Sequence, residues 1–238
     1  GLEATATPLK RPADAATIRE QFEEVDVGAG RVVVGGAGLS GVQVAGELGE
    51  MASGDTEVVL VEQQSSVAPS FPTRFQRAVA DGLSARGVRI ETGRSVEAVD
   101  SEIIVFEGEE ELLYDQLIWT GGIAGSDALG GERPRVRANL RLGKRAFAVG
   151  DAARVVDANG KAVPATAQTA IQQADIAATN IVRLADHHRA SGGFEPRLET
   201  YRYDELGWLV SVGDGTVAQV GPTVLRGKPA EALKTTVG

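Results

Sequence analysis

"RVVVGGAGLSGVQVAGELGE", residues 31–50, runs from three valines through a cluster of glycines into a periodic segment. The valine run reads as a buried strand. Val42, Ala45, Leu48 and Gly49 recur at helical spacing and predict a helix from Leu39 to about Met51. Between the two lie Gly36, Gly38 and Gly41, the pattern G-x-G-x-x-G. The first glycine permits a tight turn, the second lets backbone approach a pyrophosphate, and the third allows close helix–strand packing. The amides of Leu39, Ser40 and Gly41 would then face the phosphates at a helix end whose dipole favours negative charge. A chain with 30 glycines meets this pattern by chance easily, and the glycines alone could serve a strand–helix turn. The position between strand and helix carries the reading of a dinucleotide site.

"TEVVLVE", residues 56–62, is a second all-apolar run, the kind expected in a parallel sheet covered on both faces. Glu62 closes it, 21 residues beyond Gly41. An acid there hydrogen-bonds an adenosine ribose and repels a 2′-phosphate, so the expected ligand is NADH rather than NADPH.

Working outward, no strand is expected before a first helix from Pro12 to about Glu24, with Asp14 in its first turn and Ile18 and Phe22 on one face. A proline-bearing loop leads to a helix from Thr73 to about Arg86, and "GVRIETG" predicts a third strand. Residues 95–122 read as short antiparallel strands closing on "QLIWT", with "EGEEE" (107–111) as a solvated turn. Beyond 133 come a strand in "RAFAVGD", a long helix over about 165–190, and hairpin-like strands over 203–221. "HHRASGGFEP", residues 187–196, is the best linker candidate.

The 238 residues carry a net charge of −9, which argues against a nucleic-acid footprint. The acidic, arginine-rich balance is halophile-like. No apolar run approaches the ~20 residues that span a bilayer. Cysteine is absent, which removes disulfides and thiolate metal sites. His187 and His188 are adjacent on a helix, point different ways and lack a third ligand, so no metal is expected.

"LGKRAFAVGDAARV", residues 142–155, resembles the second flavin fingerprint of flavoproteins that bind two dinucleotides. For "VGD" alone, a strand ending in an Asx-type turn explains as much. The resemblance implies that Gly150 and Asp151 hold the flavin's ribityl chain. It also implies that the helix after Pro164 points its N-terminus, with Ala167 and Gln168, at the ring.

"AQTAIQ", residues 167–172, resembles the A-Q-x-A-x-Q signature of the type II NADH dehydrogenases, single-chain, non-pumping NADH:quinone oxidoreductases. "GGAGLSGVQVAGEL" resembles that family's NADH helix. "VEQQSSVAPSFPTRFQRAVADGLSARGVRI" resembles the strand, loop and helix that follow it. "QLIWTGGI" resembles the strand whose end borders the nicotinamide, which brings in Gly121 and Gly122. The resemblance covers about residues 30–225 and implies hydride transfer from NADH to FAD and electron transfer to a quinone touched by Gln168 and Gln172. Without it, these two glutamines would read as solvent-facing.

Two departures imply a central piece of a longer protein. No first G-x-G-x-x-G precedes residue 30, so the FAD site is expected to be incomplete. No amphipathic helices close the chain, so the expected peripheral contact with the cytoplasmic face of a membrane falls to a further segment. Gln43 stands where the family carries a carboxylate near the flavin, and no catalytic acid or base is assigned. A homodimer is compatible with the family. The alternatives are a ferredoxin-reductase-like flavoprotein and an NAD-binding, redox-sensing module without turnover.

The expected fold is α/β: a Rossmann-like NAD-binding domain, three-layered with a parallel sheet plus an antiparallel β-meander, joined to a partial FAD-binding domain. Residues 1–28 read as a segment of the FAD domain or linker, 29–136 as the NAD(H)-binding domain, 137–192 as the second part of the FAD-binding domain, and 193–238 as the start of a C-terminal domain.

Overall fold

The computed structural model describes residues 5–122, 129–190, 193–205 and 207–237. The chain forms two compact units, one from 1–122 together with 206–238 and the other from 123–205.

The first unit is built on β2 (Arg31–Gly35), β3 (Glu57–Glu62), β4 (Arg89–Thr92) and β8 (Gln116–Trp119). All are parallel, and a two-residue β1 (Thr7–Pro8) adds the edge beside β8, giving the order β1-β8-β2-β3-β4. No strand was expected there. Pro8 can occupy it because an edge position does not require every N–H for the ladder. Alternation along the strands divides the valines between two cores. Val32, Val34, Val58 and Leu60 face helices α1 (Pro12–Val27), α2 (Leu39–Met51) and α3 (Thr73–Ser84), together with Phe22 and Phe75. Val33, Val59 and Val61 face the antiparallel meander β5 (Val96–Val99), β6 (Ile103–Phe106) and β7 (Glu111–Leu113), packing on Ile104, Phe106 and Leu112. A strand buried on both faces must be apolar throughout, as β2 and β3 are.

Asp14 accepts hydrogen bonds from the Lys10 and Arg11 amides, each at 2.8 Å, before α1. These two bonds hold its carboxyl below the ordinary range.

A further layer covers the helices. β13 (Trp208–Val212), β14 (Gly215–Val220) and β15 (Thr223–Arg226) form an antiparallel sheet followed by α5 (Lys228–Val237). Val210, Val212 and Val217 enter the same core as α2 and α3. Of the stretch 193–238, expected to begin a C-terminal domain, residues 206–238 group with the first unit and 193–205 with the second. Gly46 permits it: a Cβ there would lie 2.8 Å from the Gly213 nitrogen and 2.9 Å from the Val212 Cα. Gly49, placed on the packing stripe from sequence, is only half-buried, and Gly46 takes the inner position.

The second unit has little sheet. β9 (Arg135–Val136) pairs in parallel with β12 (Arg154–Val155), and β10 (Arg141–Leu142) pairs antiparallel with β11 (Ala146–Phe147). The strand expected in "RAFAVGD" is thus only two residues long, and Gly150–Ala152 is a turn of 3-10 helix. α4 (Ala167–Arg189) supplies the long element. His187–Ala190, expected in a linker, instead belong to the end of α4 and its cap, and residues 191–192 lie outside the described part.

Candidate functional site

The loop from Gly35 to Gly41 is held by main-chain bonds on every side. Gly36 N–H donates to the Val61 carbonyl and Ala68 N–H to the Ala37 carbonyl, both at 2.8 Å. Gly36 has φ +95°, a conformation that excludes side chains at little cost only for glycine. A Cβ on Gly41 would collide with the Gly36 carbonyl oxygen, so this glycine is demanded by the fold. Gly38 differs. Its φ is −66°, and no described atom lies within 4 Å of where its Cβ would be. Nothing in the folded chain requires glycine there, and the open space above it suits a ligand.

No side chain caps α2. Its first-turn amides, Leu39 to Gly41, are left without intrahelical acceptors, the arrangement that binds phosphate. Ser40 is exposed and Leu39 leans onto the core.

Glu62 is buried, 7% exposed. Its Oε2 accepts from Ala37 N–H at 2.8 Å and its Oε1 from Gln64 N–H at 2.9 Å. The acid identified by spacing therefore touches the glycine loop directly. Each oxygen retains a lone pair for a further donor.

Thr120, inconspicuous in sequence at the end of "QLIWT", anchors the loop from the other side. Its Oγ1 lies 3.0 Å from the Gly35 carbonyl and 2.9 Å from that of Gly36. Gly121 backs the turn so closely that a Cβ on Gly36 would meet its nitrogen and Cα at 2.8 Å. Gly122 follows at φ +77°. Ile123, quoted in the same run, lies outside the described residues. Gln43 is exposed on α2.

In the second unit, Gly150 takes φ +57° and Asp151 is exposed. The Asp151 carbonyl accepts from Arg133 Nε at 2.7 Å, while no described residue engages its carboxylate. That leaves the acid available to a hydroxyl-bearing ligand. α4 begins differently from α2: Thr166 accepts from Thr169 N–H at 3.3 Å, and the Thr169 hydroxyl donates back to Pro164 and Thr166 carbonyls. Ala167 is exposed at this capped start.

The structure sorts the glutamines of α4. Gln168 is half-exposed with no hydrogen bond to a described residue. Gln172 accepts from the Tyr201 hydroxyl at 2.8 Å and donates to the Asp204 carbonyl at 3.3 Å. Gln173, which sequence reasoning passed over, is 1% exposed, and its Oε1 accepts from Gly150 N–H at 2.7 Å. Asn180 is equally buried, binding the Asn139 and Glu199 carbonyls and the Glu199 amide. Their signal was the helical stripe Thr169–Gln173–Ala177–Asn180–Leu184, which is polar where a core stripe is usually apolar. His187 is half-buried and His188 exposed, their rings 5.9 Å apart. No cluster able to hold a metal ion occurs among the described residues.

A parallel sheet with helices on one face and a glycine loop at an uncapped helix N-terminus defines a Rossmann-like α/β protein of the nucleotide-binding class. The chain belongs to the pyridine nucleotide-disulphide oxidoreductase family, whose model matches residues 2–174. It is 29% identical over 212 residues to the demethylphylloquinone reductase NdbB of Synechocystis, covering 83% of this chain and 50% of that protein. It is 26% identical over 222 residues to the type II NADH:quinone oxidoreductase of Haemophilus influenzae, covering 83% of this chain and 48% of the relative. The chain thus spans about half the length of the curated relatives it matches. Among solved structures, NDH2 of Plasmodium falciparum in complex with NADH shares the fold at a TM-score of 0.79 and 15% identity, over 100% of this chain and 70% of that one.

Proposed function

We propose that the chain is the NADH-binding and flavin-contacting part of an NADH:quinone oxidoreductase. The observation that carries this is the pairing of an uncapped α2 N-terminus with the open Gly38 position, beside the buried Glu62. Neither a positive φ nor a neighbouring described atom demands glycine at position 38, so the fold alone leaves its choice unexplained.

In this reading, the Leu39–Gly41 amides bind the pyrophosphate of NADH and Glu62 accepts from its adenosine ribose. Gly121 and Gly122 lie at the nicotinamide end of the loop. Gly150, Asp151, Ala167 and Gln168 contact FAD, with Asp151 accepting from the ribityl hydroxyls. When bound, the flavin supplies hydride acceptance from NADH and electron delivery to a quinone. Support for the quinone comes from two relatives, a demethylphylloquinone reductase and a type II NADH:quinone oxidoreductase. Of Gln168 and Gln172, Gln168 has the amide free to donate to a quinone carbonyl, and Gln172 must give up its bond to Tyr201 or Asp204 to do so. A lipid-soluble acceptor places the work at a membrane surface, on its cytoplasmic face. No helix among the described residues is long and apolar enough to cross the membrane.

Calorimetric titration with NADH and NADPH tests the carrying observation. NADH should bind more tightly, and Gly38→Ala should weaken it. Equal affinity for both nucleotides, or binding unaffected by Gly38→Ala, would sink the assignment.

A further inference from the structure

Gly150 and Asp151 sit on a turn that the surrounding sheet barely holds. β11 ends at Phe147, and the turn lies in a short 3-10 segment before β12. A carboxylate that must meet a ligand hydroxyl needs its backbone fixed, so something other than a strand has to fix it. The bond at the turn's first residue runs to α4, 23 positions along the chain: Gly150 N–H to Gln173 Oε1, 2.7 Å, with both residues buried. Gly150 also packs against Ala170, one turn earlier on the helix, where a Cβ would come within 3.0 Å of the alanine Cβ.

The donor at Gly150 dictates how the Gln173 amide is oriented. Its oxygen faces Gly150, so its NH2 group faces away. On that side lies Tyr201, whose phenol pKa the Gln173 side chain lowers against the larger upward push of burial. Tyr201 is itself 2% exposed, and its hydroxyl donates to Gln172 Oε1 at 2.8 Å. Gln172 passes the chain on to the Asp204 carbonyl at 3.3 Å. The Gly150–Gln173 bond thus has a second run for a neighbour, Tyr201 to Gln172 to Asp204. Within that run each donor polarises the next, and a buried break in either leaves groups unpaired on both sides.

We infer that Gln173 is a positioning residue for the flavin, and that it fixes the Gly150–Asp151 turn so that Asp151 meets the cofactor. The inference rests on the assignment of Asp151 to flavin. Gln173 touches no cofactor itself and acts through Gly150.

The test is amide hydrogen exchange at Gly150 in the 238-residue chain, combined with NMR titration of FAD followed at Gly150 and Asp151. In Gln173→Leu the Gly150 amide should exchange at least tenfold faster, while the Val32–Val34 amides keep their wild-type rates. Gln173→Glu retains an acceptor of the same reach and should restore most of the protection. Tyr201→Phe, which frees the Gln173 amide to turn, should give an intermediate acceleration. FAD affinity should fall in Gln173→Leu by a factor similar to that in Asp151→Ala and recover in Gln173→Glu. Unchanged exchange in a folded Gln173→Leu chain overturns the inference. So does faster exchange with unaltered FAD affinity when Asp151→Ala weakens binding. Should FAD perturb neither residue in the wild-type chain, the flavin assignment fails instead, and the exchange data still decide whether Gln173 holds the turn. If Gln173→Leu does not fold, the comparison of Gln173→Glu with Tyr201→Phe decides. Equal protection in both would count against an oriented amide.

Discussion

Glu62 and Ala37 are joined by a hydrogen bond of 2.8 Å from backbone amide to carboxylate, 25 residues apart in sequence, inside the core of the first unit. The same side chain that would meet a ribose thus also braces the loop that would meet the phosphates. If the proposed ribose contact holds, ligand choice and loop geometry are coupled through one carboxylate.

That coupling makes the outcome of changing Glu62 two-sided. Glu62→Arg exchanges repulsion of a 2′-phosphate for attraction and should narrow or reverse the preference for NADH over NADPH. It also strips the Ala37 and Gln64 amides of their acceptor; leaving the buried Ala37 N–H unpaired costs about 1–3 kcal/mol, whereas the exposed Gln64 can turn to water. Urea unfolding should therefore show a loss of stability beside the change in selectivity. Glu62→Gln, which keeps an acceptor oxygen, should lose less. A fully stable Glu62→Arg chain that still rejects NADPH would contradict both roles.

Under the proposed function, Gly38 borders ligand space while Gly41 is demanded by the fold. Gly38→Ala meets no described atom and should shift stability by no more than about 0.5 kcal/mol, yet raise the NADH dissociation constant at least tenfold. Gly41→Ala should destabilise the chain outright by driving its methyl into the Gly36 carbonyl. Thermal melts with and without NADH distinguish the two.

At Gly46 the backbone of α2 touches the backbone of the outer sheet. Gly46→Val should force the hairpin away and cost about 1–3 kcal/mol or more, as overpacking does. Gly49→Ala would meet Val88 and the Arg86 carbonyl at the end of α2 instead, so it tests a different contact. Guanidinium titrations of both variants compare the positions.

Asp157 should make the second unit sensitive to acid. Burial pushes its carboxyl up, but hydrogen bonds from the Lys161, Tyr203 and Asn159 amides outweigh it and leave the pKa below the ordinary range. A depressed folded-state pKa contributes stability that is present above the unfolded value, about 3.9. It is lost as pH falls through the folded value. Stability should therefore drop as pH falls below about 5 and through the depressed folded value. Asp157→Asn should be less stable at neutral pH and flatter across that range. Circular dichroism melts over a pH series would show it, and parallel curves for the two chains would refute it.

In a full-length enzyme, Gln168→Leu should slow flavin reoxidation by quinone by several-fold to about tenfold, the worth of one neutral hydrogen bond. Flavin reduction by NADH should be spared. Gln172→Leu should show the same kinetic signature together with reduced stability, because it also cuts the bonds to Tyr201 and Asp204. Stopped-flow measurement of the two half-reactions separates them.

The central sheet and its glycine loop were legible because their signals are local. A run such as Val32–Val34 has one good environment, and the helix bounds Leu39 and Met51 coincide with those read from periodicity. What stayed hidden depends on partners distant in sequence. Thr120 gains its importance from Gly35 and Gly36, 85 and 84 positions away. Gln173 looks no different from Gln172 until Gly150 is seen against it. β15 and α5 were missed because they gain stability from packing on β14 rather than from strong patterns of their own. The "RAFAVGD" run has the composition of a strand, yet it pairs over only Ala146–Phe147.

The seal formed at Gly46 also sets a timetable. The face of α2 that meets Val212 is synthesised some 166 residues before it. Between them the ribosome must deliver the whole of the 123–205 unit. A chain emerging at about 5–20 residues per second exposes that apolar helix face for many seconds before its cover arrives. The second unit, continuous in sequence, has no such wait. Nascent chains whose residue 205 has just left the ribosome should therefore hold a complete second unit and a first unit still uncovered, the stage at which a chaperone that binds apolar surface has most to do.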